Sequence, residues 1–233
     1  MPSAAKANDR MSSTLAERYA KAKASLPPQV TLVAVSKTRS AEEIRALYDL
    51  GHRDFGENYV QELRAKQPLL PADIRWHFIG HLQRSNVKHI IGFVHLIHGV
   101  DGAPLLDEVQ KRAAAAGRTV DALLQVHIAQ EETKHGLAPH EALGLLRGWD
   151  RQRWPNVRPR GMMGMATNTD DRAQVRREFE GLAALHGEAR AGLGELAEGF
   201  TVLSMGMSGD ADLAIASGSS LVRIGTAIFG ERG

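Results

Sequence analysis

Eight short segments that read as strands, most of them rich in aliphatic and β-branched residues, recur along this chain with segments of helical spacing between them, and that alternation restricts the fold more than any other feature. The strand segments cover residues 30–35, 53–55, 74–79, 93–97, 119–128, 157–163, 200–204 and 221–224. Each connection has room for a helix, so consecutive strands are expected to pair in parallel, and eight strands suffice to close a sheet on itself. The expected fold is a (β/α)8 barrel of the TIM type, with a doubly wound open sheet as the alternative. Helices are expected over residues 14–26, 41–50 and 58–67, from the turn at 80–82 through 87–91, and over 104–116, 139–149, 171–191 and 210–217. Ser40 and Glu43 form a capping box that fixes one start, and Pro27-Pro28 stops the first helix before the first strand. That first helix can cover the place an eighth barrel helix would otherwise take, since only a few residues follow the last strand. No Pro/Gly/Ser-rich linker divides the chain, so residues 14–233 are expected to form one domain. Residues 1–13 are small and polar, lack the apolar segment of a secretory signal, and are expected to be a disordered lead in which Met11 is an alternative start.

Composition narrows the function classes. Hydrophobic residues make up 43% of the chain but aromatics only 5%, so the core must be aliphatic, with Ala and Gly at close helix-to-strand contacts. With no cysteine there is no disulfide framework, no thiolate nucleophile and no Cys-ligated metal, which is compatible with a reducing cytoplasm. No run approaches the roughly eighteen apolar residues of a membrane span. The net charge is +2, and the densest basic clusters, Arg151 with Arg153 and Arg158 with Arg160, lack the interleaved aromatics of a single-strand binder. They read as solvated faces, so neither a nucleic acid nor a membrane is expected as partner. The ten histidines contain no His-Glu-x-x-His. His95 and His98, three apart on a strand, are expected to face opposite sides, and His77 and His127 to be core or polar-layer residues; no metal site follows.

Lys37 stands where the first apolar run stops. In a parallel barrel the C-terminal strand ends face a shared mouth, so a lysine there is a candidate imine-forming amine, against the plainer reading of a solvated residue leaving the strand. Two later segments can face the same mouth. Residues 204–210 pass from a strand into a helix with Ser208 near the helix start, and residues 222–226 end the eighth strand with Gly225 and Thr226. Together they outline a phosphate cradle, or a pair of glycine turns. Arg223 alternates with Val222 and Ile224 and so points into the barrel if they point out. A buried arginine needs a partner, which a ligand ring nitrogen, a carboxylate or an internal acid such as Glu57 can supply. Asn58, just after the second strand, either presents its amide at the mouth or caps the following helix. Ser208 is no nucleophile elbow, because Asp210 stands where that turn needs glycine. Residues 192–197 imitate a dinucleotide fingerprint but follow a helix and precede a strand, the reverse of the required order.

Long motifs in chain order now become informative: Ala34-Val35-Ser36-Lys37-Thr38, residues 51–62 with Phe55-Gly56-Glu57-Asn58, His77-Phe78-Ile79-Gly80-His81-Leu82-Gln83, residues 160–167, Ser204-Met205-Gly206-Met207-Ser208 and residues 222–230. Over nearly its whole length the chain resembles the pyridoxal phosphate homeostasis protein family. The resemblance implies an alanine racemase-like barrel without the racemase's second, β-rich domain. It implies that Lys37 holds pyridoxal 5'-phosphate (PLP) as an internal aldimine, that Ser208 and the amides of Gly225 and Thr226 bind the phosphate, that Arg223 faces the pyridine nitrogen, and that Asn58 belongs to the same site. A role in vitamin B6 homeostasis follows, carrying or buffering the cofactor without established turnover, with PLP-dependent apoenzymes as recipients. The protein is expected to be a cytoplasmic monomer. The chain departs from the family pattern at Ser85 and Asn86, where an Asn-Lys pair is usual. The alternative is a PLP-dependent amino-acid racemase, which needs a second base, usually a tyrosine. Of Tyr19, Tyr48 and Tyr59, only Tyr59 is expected near the mouth.

Overall fold

Alternation along the strands sorts the apolar side chains into two populations, as a period of two requires. Val33, Leu96, Leu123, Met163 and Leu221 form a small cluster of their own, whereas their neighbours Leu32, Ala34, Ile97, Leu124, Met162 and Val222 join the main core. The first set fills the inside of a barrel, and the second packs under the surrounding helices. The computed structural model, which describes residues 14–231, contains that barrel. Its eight parallel strands are β1 (Thr31–Val35), β2 (Asp54–Glu57), β3 (Arg75–Phe78), β4 (Val94–Val100), β5 (Val120–Gln125), β6 (Val157–Met163), β7 (Val202–Ser204) and β8 (Leu221–Ile224). Thr31 to Ala34 of β1 pair with Leu221 to Ile224 of β8, so the sheet closes and the open-sheet alternative falls. The disordered lead expected over residues 1–13 lies outside the described residues.

The helices are α1 (Leu15–Ala24), α2 (Ala41–Asp49), α3 (Val60–Lys66), α4 (Ala103–Ala115), α5 (Pro139–Arg147), α6 (Arg172–Gly192), α7 (Ala211–Ala216) and α8 (Thr226–Phe229). Capping boxes start α1 at Thr14 and α2 at Ser40, each Glu three residues on reaching back to the cap amide. α8 is a single turn, and α1 packs against it. Arg18 Nε donates to Ile228 O at 2.8 Å and so ties the two together, leaving α1 in the place of an eighth outer helix. No helix among the described residues is long and apolar enough to cross a membrane.

Two expectations need correction. The β3-to-β4 crossover is a 3-10 segment, Arg84–His89, and not an α-helix. Ser85, Asn86, Val87 and His89 are all weak helix formers, and the short link favours the tighter turn. His95 and His98 do not face opposite sides: a register shift at His77 breaks the alternation of β4, and both imidazoles lie about 5 Å from the His77 ring, at 5.3 and 5.2 Å between centroids. The basic clusters do lie on solvated faces, where Arg151 pairs with Glu195, Arg153 with Asp107 and Arg158 with Asp121.

His186 on α6 stacks on Phe200 at 4.9 Å between centroids, with Nε2 buried and without a partner. Burial lowers its pKa to about 4. An unfolded imidazole, at about 6.5, takes up a proton first, so the unfolded state gains protons between pH 6.5 and 4 and folding stability drops as pH falls through that window. His186→Leu keeps the packing and removes the titrating group. Urea unfolding at pH 5 should show it more stable than the parent by about 1 kcal/mol, allowing for partial screening, with little difference at pH 8. An equal difference at both values would show that proton uptake at His186 contributes nothing.

Candidate functional site at the C-terminal mouth

The strand ends of β1, β7 and β8 place side chains of three different segments around one cavity of about 260 Å3. Val35, the last residue of β1, forms its floor with Arg223 of β8, and Lys37 and Arg39 come from the turn that leads into α2. Met207, Ser208 and Gly209 come from the loop after β7, and Gly225 and Thr226 from the turn after β8. Of the residues expected at a site, the structure therefore brings Lys37, Ser208, Arg223, Gly225 and Thr226 together. Asn58 does not line this cavity. It sits in the extended segment after β2, where Tyr59 and not Asn58 is the residue preceding α3, and its Oδ1 is buried without a hydrogen-bond partner. The helix-cap reading of Asn58 therefore falls. Ser85 and Asn86 lie in the 3-10 segment and are not part of this cavity either.

The turn holding Lys37 is strained and tightly anchored. Thr38 has φ +65°, the one non-glycine residue with positive φ among the described residues, and β-branched side chains are rarely found there. Its amide donates to Glu62 Oε2 at 2.7 Å, and the same oxygen accepts from Lys66 Nζ at 2.7 Å. Burial pushes the Glu62 carboxyl up, but the bonds from Lys66 and from the Thr38 amide outweigh it and hold the group below the usual range. Lys66 also donates to Ser36 O and to Glu57 Oε1, both at 2.9 Å, and Ser36 Oγ donates to Glu57 Oε1 at 2.6 Å. Glu57 is wholly buried, and burial raises its carboxyl despite these partners. The two residues flanking Lys37 are thus clamped by one buried network.

The opposite wall is built from backbone. Gly206 has φ +95°, and a Cβ there would lie 2.6 Å from Ala214 Cβ, so only glycine lets the loop after β7 fold back onto α7. Asp210 Oδ1 accepts from the Met207 amide at 2.6 Å. The amides of Ser208, Gly209 and Gly225 donate to no acceptor among the described residues. Arg223 is buried and has only neutral acceptors: Ser204 O at 3.0 Å, Ser204 Oγ at 2.6 Å and Gly164 O at 3.2 Å. Glu57 is not its partner. Three of the five guanidinium donors are used, which leaves two for a ligand. Burial lowers its pKa to about 10, so it remains a cation at neutral pH.

Sequence reasoning missed Arg39. Its guanidinium donates to Gly230 O and to Glu43 Oε1 and lies 5.6 Å from the Phe229 ring centroid, which holds it against the cavity wall. Its position two residues after Lys37 was the available signal. The cavity lining holds three cationic side chains, Lys37, Arg39 and Arg223, and no carboxylate. With the unused amides, such a surface suits a small dianion joined to a ring.

The chain is similar to known proteins over most of its length. Residues 12–233 match the family model described as alanine racemase, N-terminal domain. A pyridoxal phosphate homeostasis protein of Aquifex aeolicus is 40% identical over 86% of this chain and 86% of its own, and one of Pseudomonas aeruginosa is 36% identical over 94% and 96%. The structure of PipY from Synechococcus elongatus without PLP superposes with a TM-score of 0.87 at 35% identity, covering 93% of this chain and all of that one. The PipY structure with PLP bound gives 0.84 at 34% identity. An alanine racemase of Clostridium difficile, at 14% identity, shares the fold alone, with a TM-score of 0.71 over 94% of this chain and 56% of its own.

Proposed function

The chain belongs to the pyridoxal phosphate homeostasis protein family, and from that membership and the mouth geometry we propose that it binds PLP with Lys37 as the covalent anchor and Ser208, Gly225 and Thr226 as the phosphate cradle. The observation that carries this reading is the cavity of about 260 Å3 in which three cations and unused amides meet without a carboxylate. That volume is just below the roughly 300 Å3 where ligand clefts usually begin, which suits a small cofactor of one ring and one phosphate. PLP, when bound, supplies an aldehyde that bonds reversibly to an amine and a ring that can accept electrons. The residues set how far that chemistry goes. Arg223 is a donor only, so a ring nitrogen facing it receives a hydrogen bond but no proton, and the ring is left a weak electron sink. Asn58 lies outside the cavity lining, and its place in the site rests on the family resemblance alone.

The role is that of a cofactor carrier that buffers PLP in the cytoplasm and hands it to PLP-dependent apoenzymes. A racemase would need a second base at the mouth. Tyr19 is hydrogen-bonded to His52 and Tyr48 to Asp73, both toward the N-terminal end of the barrel, and Tyr59 is 53% exposed. A monomer is proposed as well, since the large exposed apolar residues among the described ones are four, Leu50, Tyr59, Leu69 and Met207, from separate segments of the chain. Ser208→Ala tests the cradle. Equilibrium dialysis should give a PLP dissociation constant raised about tenfold, or 1.4 kcal/mol, while saturating PLP still produces the visible band. An unchanged constant would remove Ser208 from the site. In parallel, the loaded protein incubated with single enantiomers of alanine should give no opposite enantiomer on a chiral column at enzymatic rates; accumulation would favour the racemase.

A further inference from the structure

All eight strands contribute to a second cavity, of about 320 Å3, at the N-terminal mouth of the barrel, the end opposite the turn that holds Lys37. Its apolar floor is Leu96 and Leu221 of the barrel-interior cluster, with Val202 packed against them. Around that floor stand two acids, Asp54 and Asp121, and two arginines, Arg75 and Arg160. No residue lines both this cavity and the one at the cofactor mouth.

The charges of these side chains do not cancel. Both oxygens of Asp54 are taken by Arg75, from Nε at 2.7 Å and from Nη2 at 2.5 Å, and Oδ1 also lies 3.1 Å from His77 Nε2. Asp121 is held from outside the cavity by Arg158, whose Nε donates to Oδ1 at 2.6 Å. Arg160 is left with an ion pair of 3.6 Å to Asp121 Oδ2, too long for a hydrogen bond, and its guanidinium donates to no acceptor among the described residues. Three arginines therefore meet two aspartates, and one positive charge is uncommitted. Arg75 spends two of its five N–H groups on Asp54 and so has donors left. Thr31 Oγ1 and the His95 ring nitrogens, which border the same space, have no hydrogen-bond partner among the described residues. Burial, reinforced by His77, lowers the His95 imidazole, so it adds no charge at neutral pH.

A guanidinium with unspent donors beside an apolar floor recognises an anion that carries an apolar body. We propose that the N-terminal mouth is a second binding site, separate from the cofactor mouth, that takes a small monocarboxylate with a compact apolar body, its carboxylate on Arg160 and its body on Leu96, Val202 and Leu221. The count of charges selects a monoanion, because a dianion such as phosphate would bring an excess negative charge beside Asp54 and Asp121. The volume, close to the roughly 300 Å3 where ligand clefts begin, limits the body to one ring or a short branched chain. Arg75, Thr31 and His95 offer further donors and acceptors around the same space. The site does not depend on the cofactor reading above.

Benzoate, a planar carboxylate on one ring, serves as the probe. Isothermal titration into the full chain without PLP should give saturable binding with a dissociation constant at or below about 1 mM, and an absence of saturable binding would overturn the site. Because the cofactor mouth is cationic too, two variants decide the location. Arg160→Gln should weaken benzoate about tenfold or more and leave PLP binding unchanged, whereas Arg39→Gln, at the other mouth, should leave the benzoate constant unchanged. The reverse pattern would place benzoate at the cofactor mouth and overturn the proposal. Benzamide, of the same shape without the charge, should bind about tenfold more weakly than benzoate, and inorganic phosphate at pH 8 should also bind more weakly. Equal affinity for benzamide, or tighter binding of phosphate, would overturn the monocarboxylate assignment. On the wild type, nitrogen-15 NMR should show benzoate moving the amides of Val202 and Leu221 together with the Arg160 side chain, and this measurement decides if Arg160→Gln does not fold. Shifts confined to residues 37–39 and 207–226 would overturn the site. Failure to bind PLP at all would sink the proposed function and leave this site standing or falling on the benzoate measurements.

Discussion

Lys37→Ala should yield a protein that stays colourless with saturating PLP, shows no borohydride-fixed adduct by mass, and still binds the cofactor about tenfold to a thousandfold more weakly, a loss of roughly 1.4 to 4 kcal/mol. On the proposed reading, the colour and the adduct depend on one amine. The residual affinity depends on Arg39, Arg223, Ser208 and the amides of Gly225 and Thr226, which the substitution leaves in place around the cavity. The expected separation of covalent chemistry from anchoring follows from the chain's architecture, because Lys37 comes from the turn after β1 and the cradle from the turns after β7 and β8. Reduction of the wild type, followed by peptide mapping, should place the cofactor's mass on the peptide holding Lys37. An adduct on Lys134 would reorient the whole pocket. That outcome is disfavoured by the bonds Lys134 makes, to Ala166 O at 2.6 Å and to Glu131 at 3.0 Å, which hold its amine away from the cavity.

The barrel was legible where one signal dominated. β6 and β8 have the bounds expected from the sequence, and the Ser40 capping box starts α2 where the sequence places it. Arg223 points inward between outward-facing Val222 and Ile224 because strand alternation holds without interruption in β8. Alternation failed as a guide in β4, which extends to Val100 past the expected end at Ile97. His98 and Gly99 look like the end of a strand when read singly. Here the imidazole is buried because His77 and Ser204 complete it from two other strands, β3 and β7. A contact between residues 106 positions apart leaves no local pattern. The same limit hides the network around Glu57, which the sequence offers only as an acid able to pair with Arg223. Arg39 is a further case: its place in the cavity depends on Gly230 and Phe229 at the far end of the chain.

Lys66→Met should be the most destabilising of the conservative single changes near the site, at about 3 to 5 kcal/mol, because it leaves Glu57 buried without its cation. Glu57 is 0% exposed, and its Oε2 already lacks a partner, so the loss of the 2.9 Å bond from Lys66 leaves only Ser36 to hold the carboxylate. The deficit should depend on pH with a definite sign. Burial raises the Glu57 carboxyl even with Lys66 present, and removing the cation raises it further. The unfolded chain ionises that group near its ordinary value of about 4.3, so between there and the raised folded value the folded state holds the extra proton and gains stability as pH falls. Urea denaturation should therefore find the difference between wild type and Lys66→Met largest near pH 8 and smaller near pH 5, with the neutral acid tolerated in place. Lys66→Met with Glu57→Leu should recover most of the loss, since two apolar side chains of similar volume can replace a buried pair at little cost. Stability alone does not exhaust the consequence. Lys66 also bonds Ser36 O and shares Glu62 with the Thr38 amide, so the rescued double variant should fold yet hold Lys37 less firmly, and its PLP affinity should fall while its unfolding midpoint recovers. Full recovery of both would show that the buried network supports the barrel wall and not the lysine it surrounds.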